Sequence, residues 1–118
     1  MHPLLSALTK EQQKKLVARE PPPWMEPMLA TLASPQSMTG DWIFEKKFDG
    51  ERCLVFHDRH RVRLLSRNRK VLNDTYPELV EALEAITEGQ FIADGEIVAL
   101  KGEIPSFSLL QERMQLHD

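Results

Sequence analysis

The stretch that decides the fold reads Phe44-Glu-Lys-Lys-Phe-Asp-Gly-Glu-Arg52, and the apolar run Cys53-Leu-Val-Phe56 follows it at once. An Asp-Gly pair between two apolar stretches is typical of a tight turn, because glycine accepts backbone angles that other residues resist. We therefore predict a strand over residues 42–48, a turn at Asp49-Gly50, and a second strand over residues 52–56. Lysines, acids and an arginine are crowded around this bend, but a solvated hairpin tip would carry the same charges.

The composition of the chain is that of a single globular domain. The sequence has 118 residues, of which 42% are hydrophobic and 28% charged, enough for a modest core but not for a large multidomain enzyme. It shows no apolar run near the roughly 20 residues of a membrane span and no signal-peptide pattern. Its one cysteine, Cys53, excludes an intrachain disulfide and supplies no metal cluster. We expect Cys53 to be a buried core residue of a protein in a reducing, cytoplasmic compartment.

The charge is distributed unevenly along the chain. The net charge is −3, which by itself argues against a nucleic-acid partner. Residues 42–70, however, hold nine Lys/Arg and four Asp/Glu, whereas the remainder holds six Lys/Arg and fourteen Asp/Glu. A basic segment inside an acidic chain indicates a surface that can face phosphates, although a solvated hairpin would show the same bias.

The first part of the chain is predicted to be a short helix followed by a proline-rich linker. Thr9-Lys-Glu-Gln12 has the form of a capping box, which predicts a helix over about residues 10–19. Three consecutive prolines then end it. We therefore divide the chain into an N-terminal helix and linker, residues 1–23, and a main domain, residues 24–118.

Two apolar stretches after the bend, residues 52–57 and 62–65, are joined by a polar tetrapeptide and predict a β-hairpin. Further on, residues 91–100 form a β-rich run that is interrupted by Asp94 and Glu96. Burying either carboxylate unpaired within a strand would cost several kcal/mol. We therefore expect these two acids to face a cavity, a cation or basic partners.

Two further helices are predicted from capping residues and apolar periodicity. Pro77 suits the first turn of a helix, and Gly89 is expected to end it. Ser106 is expected to cap a last helix. The residues expected to face the core are Tyr76, Leu79, Val80, Leu83 and Ile86 in the first helix, Phe107, Leu110 and Met114 in the second, and the two tryptophans, Trp24 and Trp42.

Three short motifs resemble those of the covalent nucleotidyltransferases, which include ATP-dependent DNA ligases, RNA ligases and mRNA capping enzymes. Lys47-x-Asp49-Gly50-x-Arg52 resembles their motif I, Ser66-Arg67-Asn68 resembles motif Ia, and Asp94-Gly95-Glu96 resembles motif III. Pro27-Met-Leu-Ala-Thr-Leu32 is similar to the lead-in to motif I in bacterial ligases of the end-joining type. The resemblance covers residues 24 to about 116 and implies an α+β fold. Its mostly antiparallel sheet with packed helices would be that of the ATP-grasp-like adenylation domain of DNA ligases.

The resemblance also implies a role for each matching residue. Lys47 would be the nucleophile that accepts AMP, whereas Lys46 is not followed two residues on by Asp-Gly and is interpreted as a surface residue. The other implied ATP-binding residues are Glu45 at the adenine, Asp49 and Gly50 at the bend, Arg52 and Arg67 at the ribose, and Glu96 at the ribose hydroxyls or a magnesium ion. Ser66 and Arg67 would contact the phosphates at a DNA nick.

The implied reaction makes demands on the lysine and on a metal. A lysine amine with its reference pKa of about 10.4 is protonated at neutral pH and cannot attack phosphorus. Burial, neighbouring cations and a bound metal all favour its neutral form, and Arg52 supplies one such cation if the bend folds back. Mg²⁺ would neutralise the triphosphate of ATP. Glu96 is the best acidic candidate to bind this ion, because magnesium needs only one or two carboxylates.

The resemblance extends only to the first half of a ligase adenylation domain. The second metal carboxylate of motif IV, the Lys-x-Lys of motif V and the OB-fold do not follow in the sequence. We therefore interpret the chain as part of a longer ATP-dependent DNA ligase that would not join strands by itself. The implied partners are nicked or broken double-stranded DNA and, in the full-length protein, a Ku-type end-binding protein with polymerase and nuclease modules. No membrane is implied.

Two other functions remain open from the sequence. An RNA ligase or capping-type enzyme would share Lys47 and Glu96 but would act on RNA. A non-catalytic nucleic-acid-binding module would use the basic segment over residues 59–70. Such a module would bind DNA in a salt-dependent way, through counterion release, without forming covalent AMP.

Overall fold

A three-stranded antiparallel sheet is the centre of the computed structural model, which describes residues 3–86 and 89–116. The strands are β1 Glu51–Asp58, β2 Arg61–Ser66, β3 Phe91–Ile97, β4 Leu100–Lys101 and β5 Ile104–Pro105. The helices are α1 Pro3–Ser6, α2 Lys10–Lys14, α3 Pro77–Glu84 and α4 Phe107–Gln115, with a 3₁₀ turn at Pro35–Ser37. In the sheet β1 is central, with β2 on one side and β3 on the other, while β4 and β5 form a separate hairpin. Within the described ranges, no helix has the length and apolar character needed to span a bilayer.

Alternation of side chains along the strands gives the sheet two different faces. The helix face packs against α3 and α4, and its buried cluster consists of Cys53, Val62, Leu64, Leu72, Tyr76 and Leu110. The pocket face is covered by the chain that precedes the sheet, and its buried cluster consists of Leu54, Phe56 and Leu65, with Trp24 and Ile92 packed against it. The α+β architecture predicted from the sequence is therefore confirmed, as is the burial of Cys53, which is 4% exposed.

The β1–β2 hairpin forms as predicted, because its register pairs apolar positions with one another. Leu54 lies opposite Leu65, and Val55 lies opposite Leu64. The turn is closed by Asp58, whose Oδ1 accepts hydrogen bonds from the backbone N–H groups of His60 and Arg61, both at 3.1 Å. An aspartate that caps its own turn in this way is a common device of short hairpins.

Asn73 joins the open edge of β2 to the chain that leads into α3. Its Oδ1 accepts from the N–H of Leu64 at 2.8 Å, and its Nδ2 donates to the carbonyl of Val62, also at 2.8 Å. The N–H of Leu72 donates to the carbonyl of Leu64 at 2.8 Å. One side-chain amide therefore satisfies two backbone groups that a further strand would otherwise have paired.

Replacing Asn73 by alanine should destabilise the fold, because it leaves a partly buried N–H and a partly buried carbonyl of β2 unpaired. We expect a loss of about 2 kcal/mol in the free energy of unfolding, measured by urea denaturation. Asn68→Ala, the same substitution at an exposed position of the neighbouring turn, is the control and should change this free energy by less than about 0.5 kcal/mol. Equal losses in the two variants would contradict the proposed function of the Asn73 amide.

The strand predicted over residues 42–48 does not form. Residues 41–49 carry no regular secondary structure, and β1 begins only at Glu51. An extended segment needs a neighbour to pair its N–H and carbonyl groups, and both edges of β1 are already taken by β2 and β3. The segment therefore lies open, with Trp42 55% exposed and Ile43 90% exposed. The prediction that Trp42 anchors the core is wrong.

Two of the predicted helices are shorter than expected. The capping box at Thr9 is confirmed, but α2 ends at Lys14 instead of continuing to residue 19. Short helices are marginal unless an apolar face packs on the core, and Leu16 and Val17 are 48% and 71% exposed. Similarly, α3 ends at Glu84, well before Gly89, and Ile86 is 42% exposed instead of buried.

Candidate functional site

An open cavity of about 1080 Å³ lies on the pocket face, at the end of the sheet where β1 begins. Three separate parts of the chain line it: the lead-in at residues 28–30, the loop at residues 45–48, and the sheet itself. The sheet contributes Arg52 from β1 and residues 94–96 from β3. The antiparallel register explains this convergence, because Arg52 lies directly opposite Glu96.

The resemblance assigned roles in ATP or DNA binding to eight residues, and four of these eight are brought together at this cavity. Glu45, Lys47, Arg52 and Glu96 all line it, although about fifty residues separate the first from the last. Lys46, interpreted from the sequence as a surface residue, also lines the cavity, with its amine 5.5 Å from the centre of the Phe48 ring. The cavity therefore combines cations and carboxylates, which suits a ligand that carries both phosphates and hydroxyl groups.

The other four of these eight residues, Asp49, Gly50, Ser66 and Arg67, are not part of the cavity lining. Asp49 and Gly50 lie between the loop that lines the cavity and the beginning of β1. Ser66 holds a tight turn, in which its Oγ accepts a 3.0 Å hydrogen bond from the backbone N–H of Lys70. Arg67 lies exposed within that turn. A contact of Ser66 and Arg67 with DNA phosphates remains a prediction.

Gly50 is needed for a reason that the sequence did not indicate. Its φ angle lies outside the left-handed region that favours glycine. A Cβ atom at this position would instead lie 2.0 Å from the carbonyl oxygen of Ile97 and 2.9 Å from Cγ1 of Val98. Residue 50 must be glycine because the end of β3 passes directly against its backbone. The reason expected from the sequence, the freedom of backbone angle of glycine, is wrong.

Arg52 is held by a bidentate ion pair with Asp94. Its Nε and one of its terminal nitrogens each lie 2.5 Å from a carboxylate oxygen of Asp94, and that nitrogen also donates to the carbonyl of Met28 at 3.0 Å. Hydrogen bonding to Arg52, followed by its charge, lowers the pKa of the Asp94 carboxyl below its ordinary value. The expectation that Asp94 meets a basic partner is confirmed, and its contact with Arg52 follows from the register, which the sequence did not reveal.

Replacing Asp94 by asparagine tests this ion pair through its pH dependence. A lowered pKa in the folded state means that the pair stabilises the fold at neutral pH and loses this contribution as the pH falls below about 4. The two side chains are 31% and 38% exposed, so we expect less than about 1 kcal/mol at pH 7. The free energies of unfolding of wild type and Asp94→Asn, measured by urea denaturation, should therefore differ at pH 7, and the difference should shrink steadily as the pH falls below about 4. Asp74→Asn, at an exposed turn position, should show no such difference, and a constant gap for Asp94→Asn would contradict the argument.

The lead-in is held against the pocket face by aromatic and arginine side chains. Trp24 stacks on Phe56 with ring centres 5.9 Å apart, and its indole N–H donates to Oε1 of Glu26 at 2.9 Å. The Arg69 guanidinium lies 4.7 Å from the Trp24 ring and 3.3 Å from the same Glu26 oxygen. Arg63 donates to the carbonyl of residue 23 at 3.0 Å. These contacts place residues 28–30 at the mouth of the cavity, and they confirm that Trp24 is a packing residue.

The turn before β1 is also held from the helix face. The hydroxyl of Tyr76 donates to Oε2 of Glu51 at 2.7 Å, and burial followed by this contact raises the pKa of that hydroxyl. Arg113 of α4 lies over the Tyr76 ring and donates to the carbonyl of Thr75 at 2.9 Å. Glu51 is the residue between Gly50 and Arg52, so these contacts hold the beginning of β1 from the side opposite the cavity.

Comparison with known proteins places these features in a family. The family model of the ATP dependent DNA ligase domain matches residues 27–118. Over 91 residues the chain is 38% identical to the multifunctional non-homologous end joining DNA repair protein LigD of Mycobacterium tuberculosis, a match that covers 75% of this chain and 12% of the relative. A DNA ligase of Saccharolobus islandicus is 35% identical over 103 residues, covering 80% of this chain and 17% of the relative.

Solved structures agree with these matches. The ligase domain of M. tuberculosis LigD superposes with a TM-score of 0.53 at 38% identity, covering 58% of this chain and 23% of that one. A mycobacterial DNA ligase D complexed with ATP superposes with a TM-score of 0.52 at 37% identity. The chain thus spans only a small part of each relative's length. Because the family model matches well over half of its residues, the chain belongs to the ATP-dependent DNA ligase domain family.

Proposed function

We propose that this chain supplies the nucleotide-accepting part of an ATP-dependent DNA ligase. Lys47 would take AMP from ATP and pass it to a 5′-phosphate of nicked or broken double-stranded DNA. A 3′-hydroxyl would then attack that 5′-phosphate, and AMP would leave from it as the strands join. The observation that supports this best is the convergence of Glu45, Lys47, Arg52 and Glu96 on one cavity, in a chain whose family is that of DNA ligases.

The first step needs a neutral lysine amine. The nitrogen of Lys47 would form a bond to the α-phosphorus while the bond to pyrophosphate breaks, and the amine must have lost its proton beforehand. Arg52 and Lys46 line the same cavity and would bring positive charge to the phosphates of a bound nucleotide. Arg52 is already oriented by Asp94 and Met28, so it can meet a ribose or phosphate without first becoming ordered.

The residues present also fit the two cofactors proposed for this site. Glu45 would bind adenine, Arg52 the ribose, and Glu96 the ribose hydroxyls or Mg²⁺. Magnesium prefers oxygen ligands and retains most of its waters, so a single carboxylate such as Glu96 together with ATP phosphates would hold it. When bound, this ion would neutralise the triphosphate and help pyrophosphate to leave.

The partners and setting are proposed from the relatives. A LigD protein is described as a multifunctional end-joining repair protein, so a Ku-type end-binding protein and polymerase and nuclease modules are proposed partners of the full-length protein. Roles in DNA recombination and replication beside repair, and a cytoplasmic, nucleoid-associated location, belong to the same proposal. Asp49 and Gly50 would shape the site, and Ser66 and Arg67 would contact the nick from their exposed turn.

The proposal is tested by measuring intact mass after incubation with ATP and Mg²⁺. We expect a gain of one AMP per chain, and the labelled AMP should then transfer to nicked DNA in preference to nicked RNA. Should the 118 residues alone gain no mass, the same measurement is made on a chain extended through the remainder of a ligase domain. No gain in the extended chain would overturn the proposal, and transfer to RNA alone would favour an RNA ligase.

A further inference from the structure

Four arginines form a row on the pocket face, along and beyond the edge strand β2. We call Arg59, Arg61, Arg63 and Arg69 the basic row, and all four are exposed. The register places Arg61 opposite Asp58 and Arg63 opposite Phe56. Phe56 shares its face with Arg52, because alternate residues of a strand lie on the same side. Arg61 and Arg63 therefore lie on the face that carries the cavity. Arg69 lies over Trp24, which packs on the same face, and Arg59 lies in the hairpin turn.

The row leads away from the cavity. Arg69 follows the end of β2 that pairs with the beginning of β1, and Arg59 lies in the hairpin turn at the other end. From Arg52 to Asp58 the strand advances six residues, which is about 20 Å at 3.4 Å per residue. Duplex DNA rises by 3.4 Å per nucleotide along each strand, so this distance corresponds to about six base pairs.

Two guanidinium groups of the row are oriented by aromatic rings. The Arg63 guanidinium lies 5.0 Å from the centre of the Phe56 ring, and that of Arg69 lies 4.7 Å from the Trp24 ring. Trp24 and Phe56 stack on each other at 5.9 Å, so the four side chains form one continuous stack. A guanidinium that stacks through its flat face can still present edge N–H donors, and these donors match phosphate oxygens. Such preorganisation lowers the entropic cost of binding.

Two carboxylates beside the row, Asp58 and Glu26, offset part of its positive charge. Asp58 accepts from the backbone N–H groups of His60 and Arg61, and these hydrogen bonds lower the pKa of its carboxyl. Glu26 accepts from Trp24 and Arg69. Residues 59–70 contain no Asp or Glu at all, in a chain whose net charge is −3. The positive charge is therefore a local feature of this edge.

We propose that the basic row binds the sugar-phosphate backbone of duplex DNA, with the break at the cavity and the duplex running along β2 towards the hairpin turn. The choice of DNA as the polyanion rests on the proposed function, whereas the position of the duplex follows from the row. Contacts of this kind go to the backbone and carry no base specificity. They would hold a DNA end or nick in register with Lys47 and Glu96.

Binding of a fluorescent nicked duplex to the whole chain, measured by anisotropy between 50 and 200 mM NaCl, tests the proposal. Arg59→Gln combined with Arg61→Gln removes two charges of the row and keeps the contacts of Arg63 and Arg69 with the lead-in. We expect about tenfold weaker binding at 100 mM salt and a salt dependence of the affinity smaller by about 2 in slope, since each phosphate contact contributes about 0.9. Lys14→Gln combined with Lys15→Gln changes the net charge equally and should alter the affinity less than about twofold.

Other results would overturn the inference. These are wild-type affinity in the double arginine variant, an equal loss in the lysine control, or no binding of the duplex by wild type at 50 mM NaCl.

Arg63→Lys keeps the charge but removes the planar fork, and it should weaken binding several-fold without changing the salt slope. The binding assay contains neither ATP nor Mg²⁺, so a failure of nucleotide transfer leaves it unchanged and is distinguished from a failure of this surface.

Discussion

Lys47→Ala should abolish the covalent attachment of AMP, whereas Lys46→Ala should retain it. The two lysines are adjacent, and both line the cavity, so proximity to the ligand does not distinguish them. Only Lys47 stands two residues before Asp49-Gly50, the spacing of the nucleotidyltransferase motif. An alanine at Lys47 would leave no amine to form the bond to phosphorus, and the loss should be complete instead of partial.

Intact mass spectrometry of the two variants, after incubation with ATP and Mg²⁺, provides the measurement. Proteolytic mapping of the modified peptide then locates the AMP on one lysine. The Lys46→Ala variant should still gain one AMP, with a rate reduced by no more than about tenfold, because it loses a neighbouring cation but not the nucleophile. Labelling of Lys47→Ala, or its loss in Lys46→Ala alone, would show that the nucleophile was assigned to the wrong residue.

Gly50→Ala should strongly destabilise the fold, although it adds only one methyl group before β1. The new Cβ would lie 2.0 Å from the carbonyl oxygen of Ile97 and 3.0 Å from its carbonyl carbon. These are backbone atoms at the end of β3, where Ile97 pairs with Glu51, and they cannot move without breaking that pair. We expect a loss of about 3 kcal/mol in the free energy of unfolding.

Gly95→Ala is the matched control for this substitution. A Cβ at Gly95 would meet no atom within 4 Å, and alanine in a strand interior is preferred to glycine by roughly 0.5–1 kcal/mol. The control should therefore unfold at the same or a slightly higher urea concentration than wild type. Equal destabilisation by both alanines would indicate that loss of glycine flexibility matters more than the close approach of β3.

Local features of this chain were predictable from the sequence because they depend on residues a few positions apart. The β1–β2 hairpin, the capping box at Thr9 and the start of α3 at Pro77 all formed as expected. Each is determined by turn chemistry, a side-chain cap or a fixed φ angle. The residues of motifs Ia and III lie at or in predicted strands, whereas Lys47 lies in a loop where a strand was expected. The family that the motifs indicated is confirmed.

Features that depend on partners distant in sequence were decided by the tertiary structure. The segment 42–48 was expected to form a strand, yet strands β2 and β3 already occupy both edges of β1. The pairing of Arg52 with Asp94 and the edge contacts of Asn73 likewise arise from register and not from local pattern.

The sequence by itself predicted which residues could carry the chemistry, located the β1–β2 turn and the cap at Thr9, and indicated the family to which the chain belongs. Only the tertiary structure decided that Lys47, Arg52 and Glu96 share one cavity, and that Gly50 is required by a neighbouring strand. The physical reason is that hydrogen-bonding and turn preferences act within a few residues. Register, edge pairing and close backbone contact are set instead by how whole elements pack, which a one-dimensional pattern does not specify.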